Sequence, residues 1–187
     1  TVQVCDDGTP VLCDEELITV SVSEVNRYPS LDAVGDHAID EMTELAFTAS
    51  ASDPDIPANA LTFSLLGAPT GASISTGGDF SWTPTEDQGP GSYPFTVQVC
   101  DDGTPVLCDE ELITVSVSEV NRAPTLDPID SQMTEWGAML TFSATASDPD
   151  LPLNTLSFSI VSAPAGVFID PTSGLVSCTP EIGRAHV

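Results

Sequence analysis

Apolar and polar residues alternate over several short stretches of this chain. The stretches 61–65, 96–99 and 113–117 each place an apolar side chain at every second position. This period of two is typical of a β-strand with one buried face. Turn-forming groups such as Asp-Pro-Asp, Thr-Gly-Gly-Asp and Asp-Asp-Gly separate the stretches. No segment shows the 3.6-residue apolar period of a helix, so the pattern predicts an all-β fold.

A long phrase occurs twice and determines the predicted organisation. Residues 1–27, TVQVCDDGTPVLCDEELITVSVSEVNR, are identical to residues 96–122, and the lines that follow each copy are related but diverged. Identity beside divergence indicates either a recent duplication or an assembly error. The repeat is about 95 residues long, the usual size of a Greek-key β-sandwich.

The position of the phrase predicts one complete repeat and two truncated ones. Residues 27–121 form the complete sandwich. Residues 1–26 supply the C-terminal hairpin of a preceding repeat, and residues 122–181 supply the N-terminal part of a following repeat. The tail IGRAHV, residues 182–187, resembles a translated sequencing adapter and is left out of the fold prediction.

The charge of the chain restricts its partners. The 187 residues include 29 acidic and 3 basic ones, a formal net charge of −26. Such a surface repels nucleic-acid phosphates and anionic membranes and attracts cations. No apolar run approaches the roughly 18 residues that a membrane helix needs, so we expect no membrane insertion. An acidic coat that maintains solubility at high salt is an alternative reason for the charge.

Four cysteines bracket the two copies of the acidic Asp-Asp-Gly bend. If strands flank the bend, each pair of cysteines can face one another across a hairpin, which favours a disulfide and an oxidising extracellular setting. Inert thiols and a two-cysteine zinc site are the alternatives. The predicted disulfides are Cys5–Cys13 and Cys100–Cys108. The fifth cysteine, Cys178, stands where the related phrase has Trp82.

Three phrases resemble those of cadherin repeats. ASASDPDIPANALTFSL (49–65) and ATASDPDLPLNTLSFSI (144–160) resemble the cadherin run of Asp-x-Asp, a downstream Asn and an aromatic strand. VCDDGTPVLCDEELITVSVSEVNRAP (99–124) resembles a cadherin repeat end, with its acidic bend, valine-rich strand and linker. GDFSWTPTEDQGPGSYPFTVQV (78–99) is similar to the dystroglycan-type and Ig-like repeats of large bacterial surface proteins. The resemblance implies tandem Ig/cadherin-like β-sandwiches.

The resemblance also implies Ca²⁺ at the junctions between repeats. Calcium takes six to eight oxygen ligands at about 2.3–2.6 Å, and the expected ligands come from two successive repeats and their linker. At the first junction they are Glu24, Asn26, Asp53, Asp55, Asn59 and either Asp101 or Asp102. At the second they are Glu41, either Glu86 or Asp87, Glu119, Asn121, Asp148, Asp150 and Asn154.

One linker position departs from the cadherin pattern. Arg122 stands where cadherins carry an Asp, and a guanidinium repels a metal ion. We therefore expect one or two ions per junction, bound in the ~10⁻⁴–10⁻³ M range of extracellular modules. The alternative interpretation is that these carboxylates are ordinary solvated loop residues.

The sequence offers little for catalysis. It contains no lysine, His37 is the only histidine outside the tail, and neither a nucleophile elbow nor a Gly-rich phosphate loop is present. We predict a non-enzymatic structural or adhesive module of an extracellular or cell-surface protein, with neighbouring repeats and a surface protein or glycan as partners. The alternative is a carbohydrate- or protein-binding sandwich with a salt-adapted acidic surface and no specific metal site, which predicts exposed aromatic residues.

Overall fold

A computed structural model describes residues 1–180 of the chain, so the tail 182–187 lies outside the described residues. Its regular elements are strands and one short 3-10 turn at Glu86–Gln88, which confirms the all-β prediction. The strands are β1 (Val2–Cys5), β2 (Cys13–Glu16), β3 (Ser30–Leu31), β4 (His37–Asp40), β5 (Leu45–Thr48), β6 (Ala51–Ser52), β7 (Thr62–Leu66), β8 (Ser73–Ile74), β9 (Asp79–Trp82), β10 (Gly91–Cys100), β11 (Cys108–Ser118), β12 (Thr125–Leu126), β13 (Leu140–Ser143), β14 (Ala146–Ser147), β15 (Val167–Ile169) and β16 (Leu175–Cys178).

Residues 27–121, here called the middle repeat, form a β-sandwich. One sheet has the strand order β4-β11-β10-β7, in which β4 runs parallel to β11 and the other pairs are antiparallel. The opposing strands are β5-β9-β8, with the short pair β3-β6 beside them. The long antiparallel pair β10–β11 extends from Gly91↔Val117 to Cys100↔Cys108 and closes the sandwich.

The alternating pattern of the sequence corresponds to the buried face of this sandwich. On β10 and β11 the inward side chains are buried while the intervening ones are more exposed. Phe47, Phe80 and Phe95 stack between the sheets with ring centroids 4.5 and 5.6 Å apart. Phe80 and Trp82 are buried, so neither offers the exposed aromatic surface that the carbohydrate-binding alternative predicts.

Residues 1–26, here called the hairpin segment, repeat the register of β10–β11 but not its surroundings. Val2 pairs with Glu16 as Val97 pairs with Glu111, and both predicted disulfides are present in the structure. The inward-type side chains of this copy are exposed, and residues 17–23, which match 112–118 of β11, form no strand. The same sequence therefore forms a buried strand pair in one place and a short exposed hairpin in the other.

Residues 122–180, here called the third segment, repeat the early strands of the middle repeat. The pair β12–β14 has the register of β3–β6, and β13–β16–β15 has that of β5–β9–β8. Cys178 pairs with Leu140 as Trp82 pairs with Leu45, so the cysteine occupies the position of the core tryptophan. Residues 157–161, which correspond to β7, form no strand.

Candidate metal centres at the two seams

The second seam, where the middle repeat meets the third segment, contains three converging glutamates. Glu41 follows β4, Glu119 follows β11, and Glu86 opens the 3-10 turn. Because β4 is parallel to β11, both strands end at the same edge, and the Glu41 backbone N–H donates to the Ser118 carbonyl (2.9 Å). One carboxylate oxygen from each glutamate lies within 4.8 Å of the others. Three like charges at this separation repel one another unless a cation or proton joins them.

Several oxygens of this cluster are buried without a hydrogen-bond partner among residues 1–180. Glu41 is 2% exposed, and its Oε1 accepts only a 3.3 Å bond from the Val120 N–H. Its Oε2 and both carboxylate oxygens of Glu119 have no partner in the described part of the chain. A buried, unsatisfied carboxylate oxygen is costly, so each such oxygen needs an explanation. A bound hard cation supplies one.

The electrostatics of Glu119 reflect the same crowding. Burial raises the pKa of Glu119, and the negative charges of Glu41, Glu86 and Asp150 raise it further. The charge of Arg122 acts in the opposite direction without cancelling these effects. The site therefore favours a positive partner for Glu119, either a proton or a metal ion.

The third segment contributes a buried aspartate to this seam. Asp150 is 0% exposed and accepts hydrogen bonds from the Arg122 N–H (2.9 Å), the Arg122 Nε (3.2 Å) and the Asn154 Nδ2 (3.1 Å). Asp148 Oδ1 accepts the Asp150 N–H at 3.0 Å, and Asn121 Oδ1 accepts Asn154 Nδ2 at 2.9 Å. The Asp-Pro-Asp loop and the linker are thus joined by direct hydrogen bonds.

Arg122 crosses the second seam. Its guanidinium forms an ion pair with Glu86 of the middle repeat and donates to Asp150 and to the Pro149 carbonyl of the third segment. Burial would lower the pKa of Arg122, but the hydrogen bonds and charges of Asp150 and Glu86 raise it overall. The positive charge predicted to oppose metal binding therefore also ties the two sides together.

The first seam, where the hairpin segment meets the middle repeat, is organised around Asn26 and Asp101. Asn26 Nδ2 donates to Asp101 Oδ2 (3.0 Å) and to the Pro105 carbonyl (2.7 Å). Asp101 is buried, and its Oδ1 accepts the N–H groups of Gly103 and Leu107 at 3.0 Å. Burial acts to raise the pKa of Asp101, but the bonds from Leu107, Asn26 and Gly103 outweigh it and lower the pKa.

Three more unpartnered oxygens lie in the predicted ligand set of this seam. Asp53 Oδ1 accepts the backbone N–H groups of Asp55 (3.0 Å) and Asn59 (3.1 Å). Asp53 Oδ2, Asn59 Oδ1 and Asn26 Oδ1 are buried and have no partner among residues 1–180. Apart from Nε2 of His37, every buried side-chain atom left unpaired in the described range belongs to a predicted ligand.

The surroundings of the first seam shift the pKa values of Asp55 and Glu24 in opposite directions. Arg27 donates to Asp55 from its backbone N (2.9 Å) and its Nε (2.8 Å), and these bonds lower the pKa of Asp55. For Glu24, burial and then the charge of Asp55 raise the pKa, with a smaller contribution from Asp53. Glu24 therefore faces the Asp-Pro-Asp loop, as Glu119 faces its own cluster.

The sequence left two choices of ligand open, Glu86 or Asp87 and Asp101 or Asp102, and the structure distinguishes the members of each pair. Asp87 is exposed and accepts the Thr85 hydroxyl (2.6 Å) within the 3-10 turn, so Glu86 alone joins the glutamate cluster. Asp102 is also exposed and accepts the Ala60 N–H (2.8 Å) and Asn59 Nδ2 (3.3 Å), whereas Asp101 contacts the linker. Asp102 thus holds the loop that carries Asn59.

Two glycines that make room for these side chains were missed by the sequence reasoning. A Cβ on Gly89 would lie 2.0 Å from Glu41 Oε2, and one on Gly103 would lie 2.2 Å from Asn26 Oδ1. Both glycines stand in turn-like phrases, so composition alone marks them only as turn residues. Their proximity to Glu41 and Asn26 depends on long-range packing.

The comparisons with known proteins concern both sequence and fold. Residues 26–116 match the family described as Bacterial Ig domain. The chain is 29% identical over 204 residues to Protocadherin-16 of Rattus norvegicus, covering 100% of this chain and 6% of that protein. It is 31% identical over 157 residues to the protocadherin-like wing polarity protein stan of Drosophila melanogaster, covering 74% and 4%. The chain thus spans a small part of these relatives.

Solved cadherin structures share the fold. The EC21-23 structure of human CDH23 superposes with a TM-score of 0.56 at 19% identity, covering 83% of this chain and 55% of that one. The EC22-24 structure of mouse Cadherin-23 gives 0.55 at 22% identity, covering 86% and 56%. Residues 26–116 thus match the bacterial Ig domain family and share the fold of cadherin domains, which confirms the resemblance and the fold class predicted from the sequence. Within residues 1–180, no helix has the length and apolar character needed to cross a membrane.

Proposed function

We propose that this chain is a structural or adhesive segment of an extracellular or cell-surface protein built from tandem cadherin-like repeats. The repeat boundaries lie after residues 26 and 121, and Ca²⁺ at the two seams makes the joints rigid. The chain carries out no reaction in this proposal. Its relatives are protocadherins by name, and the adhesive role is transferred from them as part of the proposal.

The observation that carries the proposal is the position of the unpaired buried oxygens. Three lie in the first seam and three in the second, all on residues that the sequence predicts as ligands. Buried polar atoms are normally satisfied, so a group of unpaired oxygens at each seam supports a cation as their partner. The donor set of carboxylate and amide oxygens matches the preference of Ca²⁺.

The residues that would hold the ions differ between the seams. In the second seam they are Glu41, Glu86 and Glu119, with Asp150 and its neighbours Asp148, Asn121 and Asn154. In the first seam they are Glu24, Asn26, Asp53, Asp55, Asn59 and Asp101. The ion supplies positive charge and ties oxygens of two successive units together.

The two arginines limit how many ions the seams require. Arg27 and Arg122 already neutralise Asp55 and Asp150 from the linker side. Part of the negative charge of each ligand set is then already balanced, which supports weak binding by one or two ions per seam. The linker arginine is thus a permanent positive charge at each seam, and bound Ca²⁺ adds positive charge that depends on the Ca²⁺ concentration.

The mechanical consequence follows from the glutamate cluster. Without a cation, Glu41, Glu86 and Glu119 repel one another, and the repulsion between Glu119 and Asp150 of the third segment weakens the contact between units, since these charges are close and partly desolvated. With a cation, the same oxygens attract one centre and hold the units in line. Each repeat adds about 30 Å to the rod, because β10 contains 10 residues at about 3.3 Å each.

A calcium titration of the full chain tests this proposal. We expect Ca²⁺ to raise the melting temperature of the wild type and to do so about tenfold less effectively for Glu119→Gln, since metal affinity depends on the number of charged ligands. Glu110→Gln is the matched control, because Glu110 is an exposed residue of β11, the strand that precedes Glu119, and is not a predicted ligand of either seam. Identical melting curves with and without Ca²⁺ in the wild type would contradict the proposal.

A further inference from the structure

The carboxylate oxygens of the second seam divide into two groups. Glu41 Oε2 and both carboxylate oxygens of Glu119 are buried and have no hydrogen-bond partner in the described part of the chain. By contrast, all four carboxylate oxygens of Glu86 and Asp150 accept hydrogen bonds. Arg122 donates to three of these four oxygens, and a backbone N–H donates to the fourth. One side of the seam therefore lacks a positive partner, and the other side already has one.

Three oxygens from different parts of the chain surround the guanidinium of Arg122. Its Nη2 donates to Glu86 Oε2 and to the Pro149 carbonyl (2.8 Å), and its Nε donates to Asp150 Oδ1 (3.2 Å). The Asp150 side chain is 0% exposed and that of Glu86 is 19% exposed, so both carboxylates are largely removed from water. Carboxylates and a backbone carbonyl are ligands that Ca²⁺ prefers. The guanidinium thus occupies an oxygen-lined position that suits a cation.

The first seam contains a similar arrangement without the glutamate. Arg27 donates from Nε to Asp55 Oδ1 (2.8 Å) and from Nη2 to the Pro54 carbonyl, as Arg122 does at the second seam. Among residues 1–180, the ion pair of Arg27 is with Asp55 alone, and residues 1–26 contain no counterpart of Glu86. The chain therefore offers an internal comparison for the role of the glutamate.

We propose that Arg122 is a built-in cation that occupies one of the cation positions of the second seam. Metal then binds there only beside the unpaired oxygens of Glu41 and Glu119. This statement about metal rests on the proposed function, whereas the link that Arg122 makes between Glu86 and Asp150 does not. Because the arginine is part of the chain, it holds these two carboxylates together at any Ca²⁺ concentration. The seam therefore keeps one link between its two units when metal dissociates.

Arginine and metal exclude one another at this position. A guanidinium has no acceptor atom and cannot be a ligand, and its charge repels a divalent ion at the same oxygens. Removal of the guanidinium frees Glu86 Oε2, Asp150 Oδ1 and the Pro149 carbonyl together. A variant with a small neutral side chain in place of Arg122 should therefore gain one metal site.

Equilibrium dialysis of the full chain against Ca²⁺ counts the bound ions. Excess monovalent salt in the dialysis screens diffuse binding to the acidic surface. Arg122→Ala should bind one ion more than the wild type, and Arg122→Asp should bind that ion about tenfold more tightly, because it adds a charged ligand. Arg122→Lys should gain none, since its ammonium keeps a positive charge at the position. Arg27→Ala should also gain none, because no glutamate completes the position at the first seam.

The ion counts separate this inference from the proposed function. If the wild type binds Ca²⁺ and Arg122→Ala binds no more, the inference is wrong and the proposed function stands. If Arg122→Ala binds an ion and the wild type binds none, the inference stands and the proposed function is wrong. Absence of binding in both chains would contradict both. An equal gain in Arg122→Lys and Arg122→Ala would overturn the inference, since the position would not depend on charge.

Scattering in chelator tests the link that needs no metal. Arg122 is 44% exposed and lies outside the core, so its variants should fold, which circular dichroism checks. Without Ca²⁺, small-angle X-ray scattering should show a broader distribution of dimensions for Arg122→Ala than for the wild type, with Arg122→Lys between them. Coincident profiles of wild type and Arg122→Ala in chelator would overturn the proposed link.

Discussion

The two seams contain the same linker in two different settings. In each, the linker arginine donates its backbone N–H to the second aspartate of the Asp-Pro-Asp loop at 2.9 Å, Arg27 to Asp55 and Arg122 to Asp150. This arrangement forms whether a hairpin or a complete repeat precedes the linker. The linker and loop therefore fold as one local unit that does not depend on the preceding repeat.

The remainder of each seam differs. The second seam has the three glutamates, two of them from the body of the middle repeat, while residues 1–26 contain no counterpart of Glu41 or Glu86. The first seam has Asp101, held by Asn26, from the closing hairpin of the repeat that follows. The two seams thus show complementary halves of one type of joint, and we expect the glutamate-rich second seam to depend more strongly on Ca²⁺.

The largest expected effect that separates the seams comes from Gly89→Ala. The added methyl group would collide with the buried Glu41 carboxylate, and overpacking of this kind costs about 1–3 kcal/mol. We expect lower stability and a loss of the calcium response at the second seam alone. Thermal melting with and without Ca²⁺ measures both. Gly77→Ala is the control, since its Cβ would come no closer than 3.7 Å to Ser75 Oγ. Equal behaviour of the two variants would show that Glu41 is not held as described.

A second, intermediate effect is expected from pH. The folded-state pKa of Glu119 is raised, so its contribution to stability is favourable below the unfolded pKa and is lost as pH rises through the folded pKa. Asp55 and Asp101 have lowered pKa values, so their contributions are present above the unfolded pKa and are lost as pH falls through the folded pKa. Calcium-free chain should therefore lose stability on both sides of a maximum in the acidic range.

A comparison of wild type with Glu119→Gln shows which residue causes the loss of stability on the alkaline side of that pH maximum. Glu119→Gln should remove part of the loss on the alkaline side and leave the acid limb unchanged. Calcium affinity should rise with pH where Glu119 ionises, because metal and proton compete for the same oxygens. A pH profile of calcium-free stability that is identical for wild type and Glu119→Gln would contradict this assignment.

The sequence was most informative where local pattern decides structure. The alternation at 113–117 correctly predicts buried Ile113, Val115 and Val117, because a strand with one covered face must bury every second residue. The spacing of Cys100 and Cys108 around an Asp-Gly bend likewise matches the disulfide in the structure. Such features depend on residues that are close in the chain.

The sequence was less informative where distant segments meet. The approach of Glu41 to Glu119 depends on the parallel pairing of β4 with β11, which residue periodicity does not reveal. The contact of Arg122 with both Glu86 and Asp150 also depends on the relative placement of two units. The sequence alone indicates Arg122 only as an obstacle to metal binding, because its acceptors Glu86 and Asp150 are 36 and 28 residues away in the chain.

The smallest expected effect is that of the linker arginines. Arg122→Gln should lower the melting temperature more than Arg27→Gln, because the Arg122 side chain is less exposed (44% against 61%) and has Glu86 as an additional partner. Partly exposed ion pairs contribute little, so we expect a shift of about 2 °C or less. The difference between the variants should shrink in Ca²⁺. A larger effect of Arg27→Gln would reverse the proposed ranking of the seams.

Small-angle X-ray scattering of the full chain, with Ca²⁺ and with a chelator, measures the stiffness of the joints most directly. The proposed role of the seams predicts a longer and more uniform particle in Ca²⁺, and a broader distribution of dimensions after chelation, at concentrations where the chain is monomeric. Scattering profiles that coincide in the two conditions would contradict a cation-dependent joint.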